Sequence, residues 1–207
     1  MSLTSLIPKI GILAIQGDFA AHAAMLHSLG ADTIEVRTVE DLRQCDALVL
    51  PGGESTTQLQ FLQEEGLFDT IKQFANDGNP IFGTCAGAIL LAKNVQHPAQ
   101  GSLGLLDMTV FRNAYGRQLA SDVFFGSSKL EPEPMEMVFI RAPIIDAVGP
   151  GVEVLAEHAG KPVLVQKGNL LAATFHPELT NDSTVHEHFL RLIEAKSLVS
   201  EKVTAPR

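Results

Sequence analysis

Short, continuously apolar segments alternate with helix-like segments through the first 92 residues, and this alternation limits the fold more than any other feature of the chain. Four segments are typical of buried strands: KIGILAI (9–15), TIEVR (33–37), DALVL (46–50) and PIFGT (80–84). Three segments between and after them are typical of helices: DFAAHAAMLHSLG (18–30), STTQLQFLQEEGLFDTIKQFANDG (55–78) and CAGAILLA (85–92). Buried strands joined by helices form a parallel sheet with right-handed crossovers and helices on both faces. The sequence therefore predicts a three-layer α/β/α sandwich.

A different pattern follows residue 105. Five short segments there are typical of strands: LLDMTVF (105–111), MVFIRA (137–142), VEVLAEH (152–158), PVLVQ (162–166) and LLAATFH (170–176). QKGN (166–169) has the composition of a hairpin turn, so this half is expected to add antiparallel strands to the sheet. An amphipathic helix is predicted over about 182–198, and the tail from about 199 to 207 is expected to fray. The length fits a single domain over residues 1–207.

Composition argues against several classes of protein. The formal net charge is -9 and lysine and arginine form no cluster, so neither nucleic acid nor an anionic membrane surface is an expected partner. No apolar run approaches the roughly 18 residues of a membrane span, and the first residues lack the pattern of a signal peptide. With only two cysteines, a cytoplasmic location is expected. The ligand is expected to be a small molecule or another protein.

The segment GTCAG (83–87) places one of the two cysteines, Cys85, between a predicted strand and a predicted helix. Its form, G-x-C-x-G, is the cysteine counterpart of the turn that carries a nucleophilic serine in many hydrolases. The glycines are expected because a Cβ at either flanking position would collide with the neighbouring strand or helix. A thiol exposed there, at a helix N-terminus, is favoured as thiolate. The motif alone fits a small buried cysteine in a tight connection equally well.

TFHPEL (174–179) supplies a base for this thiol. If the backbone is extended, His176 and Glu178 lie on the same side of the chain, and the carboxylate can hold one imidazole nitrogen while the other faces the thiol. The other six histidines are assigned to core or surface roles, and no metal site is expected because the HEH run at 186–188 lacks metal-ligand spacing. The six are His22, His27, His97, His158, His186 and His188.

LVLPGGES (48–55) ends a predicted strand in a glycine pair. The backbone N–H of Gly53, together with that of Ala86, could stabilise an oxyanion, and one such donor is worth about 2.7 to 4 kcal/mol in a transition state. The alternative is an ordinary strand-to-helix turn in which Ser55 or Thr56 caps the following helix. The glycine motifs that bind dinucleotide or nucleotide phosphates are absent.

In the order PGGES, GTCAG, HPE, the sequence resembles the class I, or triad-type, glutamine amidotransferases. Within them it is similar to the glutaminase subunits of pyridoxal 5′-phosphate synthase. Six blocks carry that closer resemblance, which covers nearly the whole chain: AIQGDFAAH, LPGGESTT, FGTCAGAILLA, LGLLDMTVFRNAYGRQ, VFIRAP and FHPEL. Ala21 is a departure, since the family commonly carries a charged residue there, and it affects only local surface contacts.

The resemblance implies hydrolysis of L-glutamine to L-glutamate and ammonia, and internal transfer of the ammonia to a separate synthase subunit with a (β/α)₈ barrel. It implies no cofactor on this chain, since pyridoxal phosphate is made on the other subunit. It also implies low activity in isolation, with the partner docking near IQGDF and the PGGES turn.

The resemblance further implies a role for each residue of the site. Cys85 is the nucleophile, His176 the acid and base, Glu178 the residue that orients the imidazole, and Gly53 and Ala86 the oxyanion donors. The glutamine pocket that it implies is formed by Gly53, Glu54, Ser55, Arg112, Ile140 and Arg141. Arg117 is less certain and is a candidate for the partner surface.

Two other readings remain open at this point. The first keeps the cysteine turn but makes the protein a stand-alone hydrolase or a DJ-1-like protein. The second is a regulatory or binding module in which Cys85 merely packs. The histidine–glutamate pair and the two arginines argue against the first.

Overall fold

The structure of the chain is a computed structural model that describes residues 7–112 and 121–204. In the first half, strands and helices alternate: β1 (Lys9–Leu13), α1 (Phe19–Ser28), β2 (Asp32–Val36), α2 (Val39–Leu42), β3 (Ala47–Leu50), α3 (Ser55–Glu64), α4 (Leu67–Asn76), β4 (Ile81–Thr84) and α5 (Ala86–Leu91). The second half is mostly strand: β5 (Ala92–Gln96), β6 (Leu106–Phe111), β7 (Ser121–Gly126), β8 (Met135–Ile140), β9 (Ile144–Val148), β10 (Glu153–His158), β11 (Lys161–Lys167) and β12 (Leu170–Ala173). A 3₁₀ turn (Pro177–Leu179) and α6 (Thr184–Thr204) follow.

A seven-stranded mixed sheet forms the centre of the fold, in the order β10-β11-β12-β4-β3-β1-β2. The five strands from β12 to β2 are parallel to their neighbours, and β10 and β11 add antiparallel pairs at one edge. The QKGN segment makes the predicted hairpin turn between β11 and β12. In the described ranges two smaller sheets, β5-β6-β9 and β7-β8, lie beside the large one.

Both faces of the large sheet are covered. Alternate residues of one strand belong to two different buried clusters. In β3, Leu48 and Leu50 belong to one cluster, and Ala47 and Val49 belong to the other. One cluster packs the sheet against α3, α4 and α5, and the other packs it against α1, α6 and β8. The predicted three-layer α/β/α sandwich with added antiparallel strands is therefore confirmed.

Several boundaries differ from the sequence prediction. The short helix α2 and the strands β5, β7 and β9 were not predicted. The strand β5 reads AKNVQ, in which three of five side chains are polar, so it carries no continuous apolar signal. The last helix continues to Thr204, past the predicted end near residue 198. No helix in the described ranges is long and apolar enough to cross a membrane.

The functional segments meet at one edge of the sheet. Because β1, β3, β4 and β12 are parallel, the residues that follow each strand lie at the same carboxyl edge. These residues are Gln16–Asp18 after β1, Pro51–Gly53 after β3, Cys85 after β4 and His176 after β12. The fold thus brings together four segments that are far apart in the sequence.

Gly87 is required where α5 crosses β3, and its replacement tests the packing. A Cβ on Gly87 would lie 1.9 Å from the carbonyl oxygen of Leu50, a backbone atom that cannot move aside. We expect Gly87→Ala to lower the free energy of unfolding by about 3 kcal/mol or more, measured by urea denaturation. Gly101→Ala is the control, since its Cβ would meet only Leu59 at 3.4 Å. Equal stability of the two variants would contradict this account of the crossing.

Candidate active site

Cys85 occupies a strained turn between β4 and α5. Its φ and ψ are 48° and -101°, a region that residues with a side chain rarely adopt, as expected for a nucleophile turn. The N–H of Cys85 donates to the carbonyl oxygen of Ala173 at 2.8 Å, which fixes the turn to β12. A Cβ on Gly83 would lie 2.6 Å from the backbone of Gly87, so the steric role predicted for the glycines agrees with the geometry. The sequence analysis expected an exposed thiol, but Cys85 is only 8% exposed because α5 and the strands enclose it.

His176 and Glu178 form a buried pair beside this turn. Nδ1 of His176 lies 2.8 Å from Oε1 of Glu178. The backbone prediction was wrong: Pro177–Leu179 is a 3₁₀ turn and not an extended segment. The two side chains meet because the turn folds Glu178 back onto the imidazole. The N–H of His176 donates to the carbonyl oxygen of Val138 at 2.8 Å and anchors the turn to β8.

The electrostatics of the pair favour an imidazolium. Burial alone would lower the pKa of His176, but hydrogen bonds with Cys85 and Glu178, and the charges of those two groups, raise it to about 10. Cys85 and His176 also line the same cavity, so the thiol and the imidazole face a common space. Burial raises the pKa of the Glu178 carboxyl, against the opposing effect of His176. The pair is therefore arranged to hold a proton on His176 next to sulfur.

A third acidic side chain, Asp18, also approaches the imidazole. Its Oδ2 lies 3.4 Å from Nδ1 of His176, although Asp18 is the N-cap of α1 and its side chain caps nothing there. Asp18, His176 and Glu178 offer three potential metal-ligand atoms within 4.8 Å of one another. Because Nδ1 of His176 already faces Glu178, the arrangement is the one that stabilises an imidazolium. Asp18 was not predicted as a site residue.

Cys85 and His176 open onto a cavity of about 480 Å³. Eight of the ten predicted site residues line it: Gly53, Glu54, Ser55, Cys85, Arg112, Ile140, Arg141 and His176. The other two predicted residues, Glu178 and Ala86, are buried and do not line the cavity. Five further lining residues were not predicted: Gln16, Gly17, Asp18, Ile89 and Pro143. A larger cleft, of about 660 Å³ and lined by residues around Cys45, holds none of the predicted residues.

Glycines pack closely around the imidazole. A Cβ on Gly52 would lie 2.4 Å from Cε1 of His176, and a Cβ on Gly17 would lie 1.8 Å from the carbonyl oxygen of Gly52. Gly53 follows with a φ of 150°. Ala86 is the first residue of α5, so its N–H is one of the donors that have no partner within the helix. Gly53 lines the same cavity as Cys85 and His176, and Ala86 directly follows Cys85 in the chain.

Charged side chains also line the cavity. Nη2 of Arg112 lies 3.1 Å from Oε1 of Glu54, and the side chain of Arg112 is only 11% exposed. Glu54 also caps α3, accepting from the N–H of Thr57 at 2.8 Å, so the alternative in which Ser55 or Thr56 caps that helix is wrong. Ser55 instead donates to Gln100 at 3.1 Å. Arg117 lies outside the described residues.

Sequence reasoning missed a set of contacts behind the triad. His22 and His186, both assigned to core or surface roles, are fully buried; they contact each other, and His22 contacts the carboxylate of Glu178. Nε2 of His22 also lies 3.1 Å from Oγ1 of Thr84. The two histidines are 164 residues apart, so no local pattern could have paired them.

The three-layer fold is that of the class I glutamine amidotransferases. A crystal structure of a glutamine amidotransferase matches with a TM-score of 0.85 at 45% identity, over 89% of this chain and 98% of that one. A putative GMP synthase component from Thermoplasma acidophilum shares the fold, with a TM-score of 0.71 at 18% identity, over 94% of this chain and 98% of that one.

The chain belongs to the SNO glutamine amidotransferase family, whose family model matches residues 12–195. The pyridoxal 5′-phosphate synthase subunit PdxT of Koribacter versatilis is 56% identical over 89% of this chain and 95% of that protein. PdxT of Thermotoga neapolitana is 48% identical over 90% of this chain and all of that protein, 100%. These matches confirm the predicted family and its glutaminase class, and they do not favour the stand-alone hydrolase or the DJ-1-like alternative.

The raised pKa of His176 can be tested directly. We expect NMR titration of the imidazole to give a pKa near 10 in the unmodified chain, and a lower pKa in Cys85→Ala, which removes the hydrogen bond and charge of the thiol. Cys45→Ala is the control, because Sγ of Cys45 contacts the carbonyl oxygen of Asp41 instead. A pKa of His176 that does not change in Cys85→Ala would contradict the coupling between the two groups.

Proposed function

We propose that Cys85, His176 and Glu178 hydrolyse L-glutamine to L-glutamate and ammonia, and that the ammonia passes to a partner subunit. The observation that carries this proposal is that one cavity is lined by Cys85 and by the imidazole that Glu178 holds, and also by two arginines and Glu54. A nucleophile, a base and an orienting carboxylate suit acyl transfer. The charged side chains that line the cavity suit the charged groups of a free amino acid.

The first half-reaction forms a thioester. The thiolate of Cys85 attacks the side-chain carbonyl carbon of glutamine, and the N–H groups of Gly53 and Ala86 stabilise the resulting oxyanion. When the tetrahedral intermediate collapses, the C–N bond breaks and His176 gives its proton to the departing nitrogen. The raised pKa of His176 serves this step, because the imidazole is already protonated at neutral pH.

The second half-reaction releases glutamate. His176, now neutral, removes a proton from a water molecule as the water oxygen attacks the thioester carbon. The same two N–H groups stabilise the second oxyanion. Its collapse breaks the C–S bond, frees L-glutamate and restores the thiolate–imidazolium pair. Glu178 holds Nδ1 of His176 in both steps, so that Nε2 faces the reacting atoms.

The charged groups of the cavity fit the backbone part of free glutamine. Arg112 and Arg141 can bind the α-carboxylate through charge-assisted hydrogen bonds, and the carboxylate of Glu54 can bind the α-ammonium group. Gly53, Ser55 and Ile140 complete the wall. The ion pair between Arg112 and Glu54 already orients both groups before a substrate binds.

The partner is proposed to be the barrel subunit of pyridoxal 5′-phosphate synthase. The relatives whose names call them subunits of that synthase are matched over 95% to 100% of their length, and the chain is proposed to act, like them, as a single domain. Ammonia released into water at neutral pH is mostly protonated and no longer nucleophilic, so direct transfer to a partner preserves its reactivity. A cytoplasmic location is proposed with it.

Replacement of Cys85 tests the reaction. With the synthase subunit present, we expect Cys85→Ala to lower ammonia release from glutamine by at least about 10³-fold. Cys45→Ala is the matched control, since it removes the other thiol and is expected to keep full activity. A glutamine-analogue electrophile should label Cys85, and peptide mass analysis locates the adduct.

Full turnover in Cys85→Ala, or labelling at Cys45, would overturn the thiol mechanism. Ammonia release measured without the synthase subunit reports whether the partner stimulates the reaction.

Replacement of the arginines tests the pocket. We expect Arg112→Ala and Arg141→Ala each to raise the KM for glutamine by about 10- to 100-fold, with a smaller effect on kcat, because each loses a hydrogen-bonded charge. Arg37→Ala is the control, since Arg37 pairs with Glu35 on the surface. A KM that stays unchanged in both variants would show that glutamine binds elsewhere.

A further inference from the structure

Glu178 has two carboxylate oxygens, and only one of them faces the imidazole. Oε1 is bound to His176, whereas Oε2 accepts no well-directed hydrogen bond from any residue in the described ranges. The side chain of Glu178 is 0% exposed, so water does not reach it freely. An ionised carboxylate buried without a second donor is costly. Nε2 of His22, also 0% exposed, lies 3.3 Å from Oε2.

The neighbours of His22 determine which of its nitrogens carries hydrogen. Nε2 faces two acceptor oxygens, Oε2 of Glu178 at 3.3 Å and Oγ1 of Thr84 at 3.1 Å. Nδ1 lies 3.0 Å from Nε2 of His186. With hydrogen on Nε2, His22 donates to Oγ1 of Thr84, has Oε2 of Glu178 beside the same N–H, and accepts from His186. With hydrogen on Nδ1, its Nε2 lone pair would face the carboxylate, and the buried Nδ1 of His186 would be an N–H without an acceptor.

The charge of His22 is consistent with this assignment. Burial, together with the neighbouring His186 and His176, lowers the pKa of His22 well below its ordinary value. Burial likewise lowers the pKa of His186, to about 4. Both rings are therefore neutral at physiological pH, and each carries one hydrogen that its partners fix.

We propose that His22 is a positioning residue of the triad: its Nε2–H, held in place by His186 from α6, lies 3.3 Å from Oε2 of Glu178 and by this electrostatic contact keeps Oε1 turned toward His176. His186 acts one step further back, by fixing the tautomer of His22. The proposal rests on the proposed glutaminase function. It adds two residues that touch neither substrate nor the reacting sulfur.

Thr84 extends the same contact to the oxyanion turn. Its Oγ1 accepts from the N–H of Gly52 at 3.1 Å while it faces Nε2 of His22. Gly52 precedes the proposed oxyanion donor Gly53 and packs against the imidazole of His176. His22 thus lies at a point that contacts both the carboxylate of the triad and the residue that fixes the glycine turn.

Two variants of His22 separate hydrogen bonding from packing. His22→Leu fills the space but donates nothing, whereas His22→Gln keeps an N–H donor near the position of Nε2. With the synthase subunit present, we expect His22→Leu to lower kcat by about 10- to 100-fold, as for other hydrogen bonds to charged groups, with KM for glutamine unchanged. His22→Gln is expected to recover part of that loss. His27→Leu is the matched control: His27 is exposed on the same helix, and among the described residues its side chain forms a hydrogen bond only with Thr33.

A spectroscopic measurement decides the inference independently of turnover. Four described titratable groups surround the pair of His176 and Glu178: His22 and Asp18 at α1, His186 on α6, and Cys85. The hydrogen bond with Glu178 helps to raise the pKa of His176. If the carboxylate is held less firmly in His22→Leu, NMR titration should give a lower pKa for His176 in that variant. The pKa should fall less in His22→Gln.

The outcomes distinguish the two proposals. If the unmodified chain and His27→Leu release no ammonia with the synthase subunit present, the proposed function is wrong, and the NMR titration still tests the role of His22. If they are active but His22→Leu keeps its kcat and its His176 pKa, the positioning role is overturned. Equal loss of activity in His22→Leu and His22→Gln, with an unchanged pKa of His176, would also overturn it, since that pattern indicates packing alone.

Discussion

Parallel pairing between β4 and β12 is the contact on which the site depends. These strands come from opposite halves of the chain, and their register places Ala173 opposite Thr84. The hydrogen bond from Cys85 to the carbonyl oxygen of Ala173 continues that pairing by one residue. His176 follows only three residues later. A shift of one residue in this register would turn every side chain of β12 to the other face and separate the imidazole from the thiol. The precision of the site is therefore set by backbone hydrogen bonds rather than by the side chains themselves.

The turns at the carboxyl edge are stacked on one another, and glycine makes this possible. The turn after β1 touches the turn after β3 at Gly17 and Gly52, and Gly52 touches the imidazole of His176. The side-chain amide of Gln16 also donates to the carbonyl oxygen of Glu54 at 3.2 Å. With no side chains between them, these backbones cannot move independently. A protein that binds at the IQGDF segment would thus act on the glycine turn and on the imidazole together.

The sequence predicted the central sheet and most of the cavity, for physical reasons that apply to particular segments. Strands such as β3 are continuously apolar because both faces are covered, and GTCAG is recognisable because a tight turn excludes Cβ atoms at Gly83 and Gly87. The strand β5 was missed because its side chains are mostly polar. The segment from Pro177 was predicted to be extended, but it forms a 3₁₀ turn. A proline favours extended backbone only at the residue before it, here His176, and does not determine the backbone of the residues that follow. The roles of His22 and Thr84 arise only from tertiary contacts.

Three buried histidines in this site share one environment but differ in charge, and the difference has a chemical consequence. Burial favours the neutral form of each ring, so a histidine is protonated here only where anionic groups outweigh that cost. His176 has such neighbours in Cys85, Glu178 and Asp18. His186 has no comparable partner, and the ring of His22, although close to Glu178, is also next to His186 and His176. A proton in this group of rings therefore resides on His176, the ring that lines the same cavity as Cys85. The neutral pair behind it lies beside the carboxylate of Glu178 without competing for that proton.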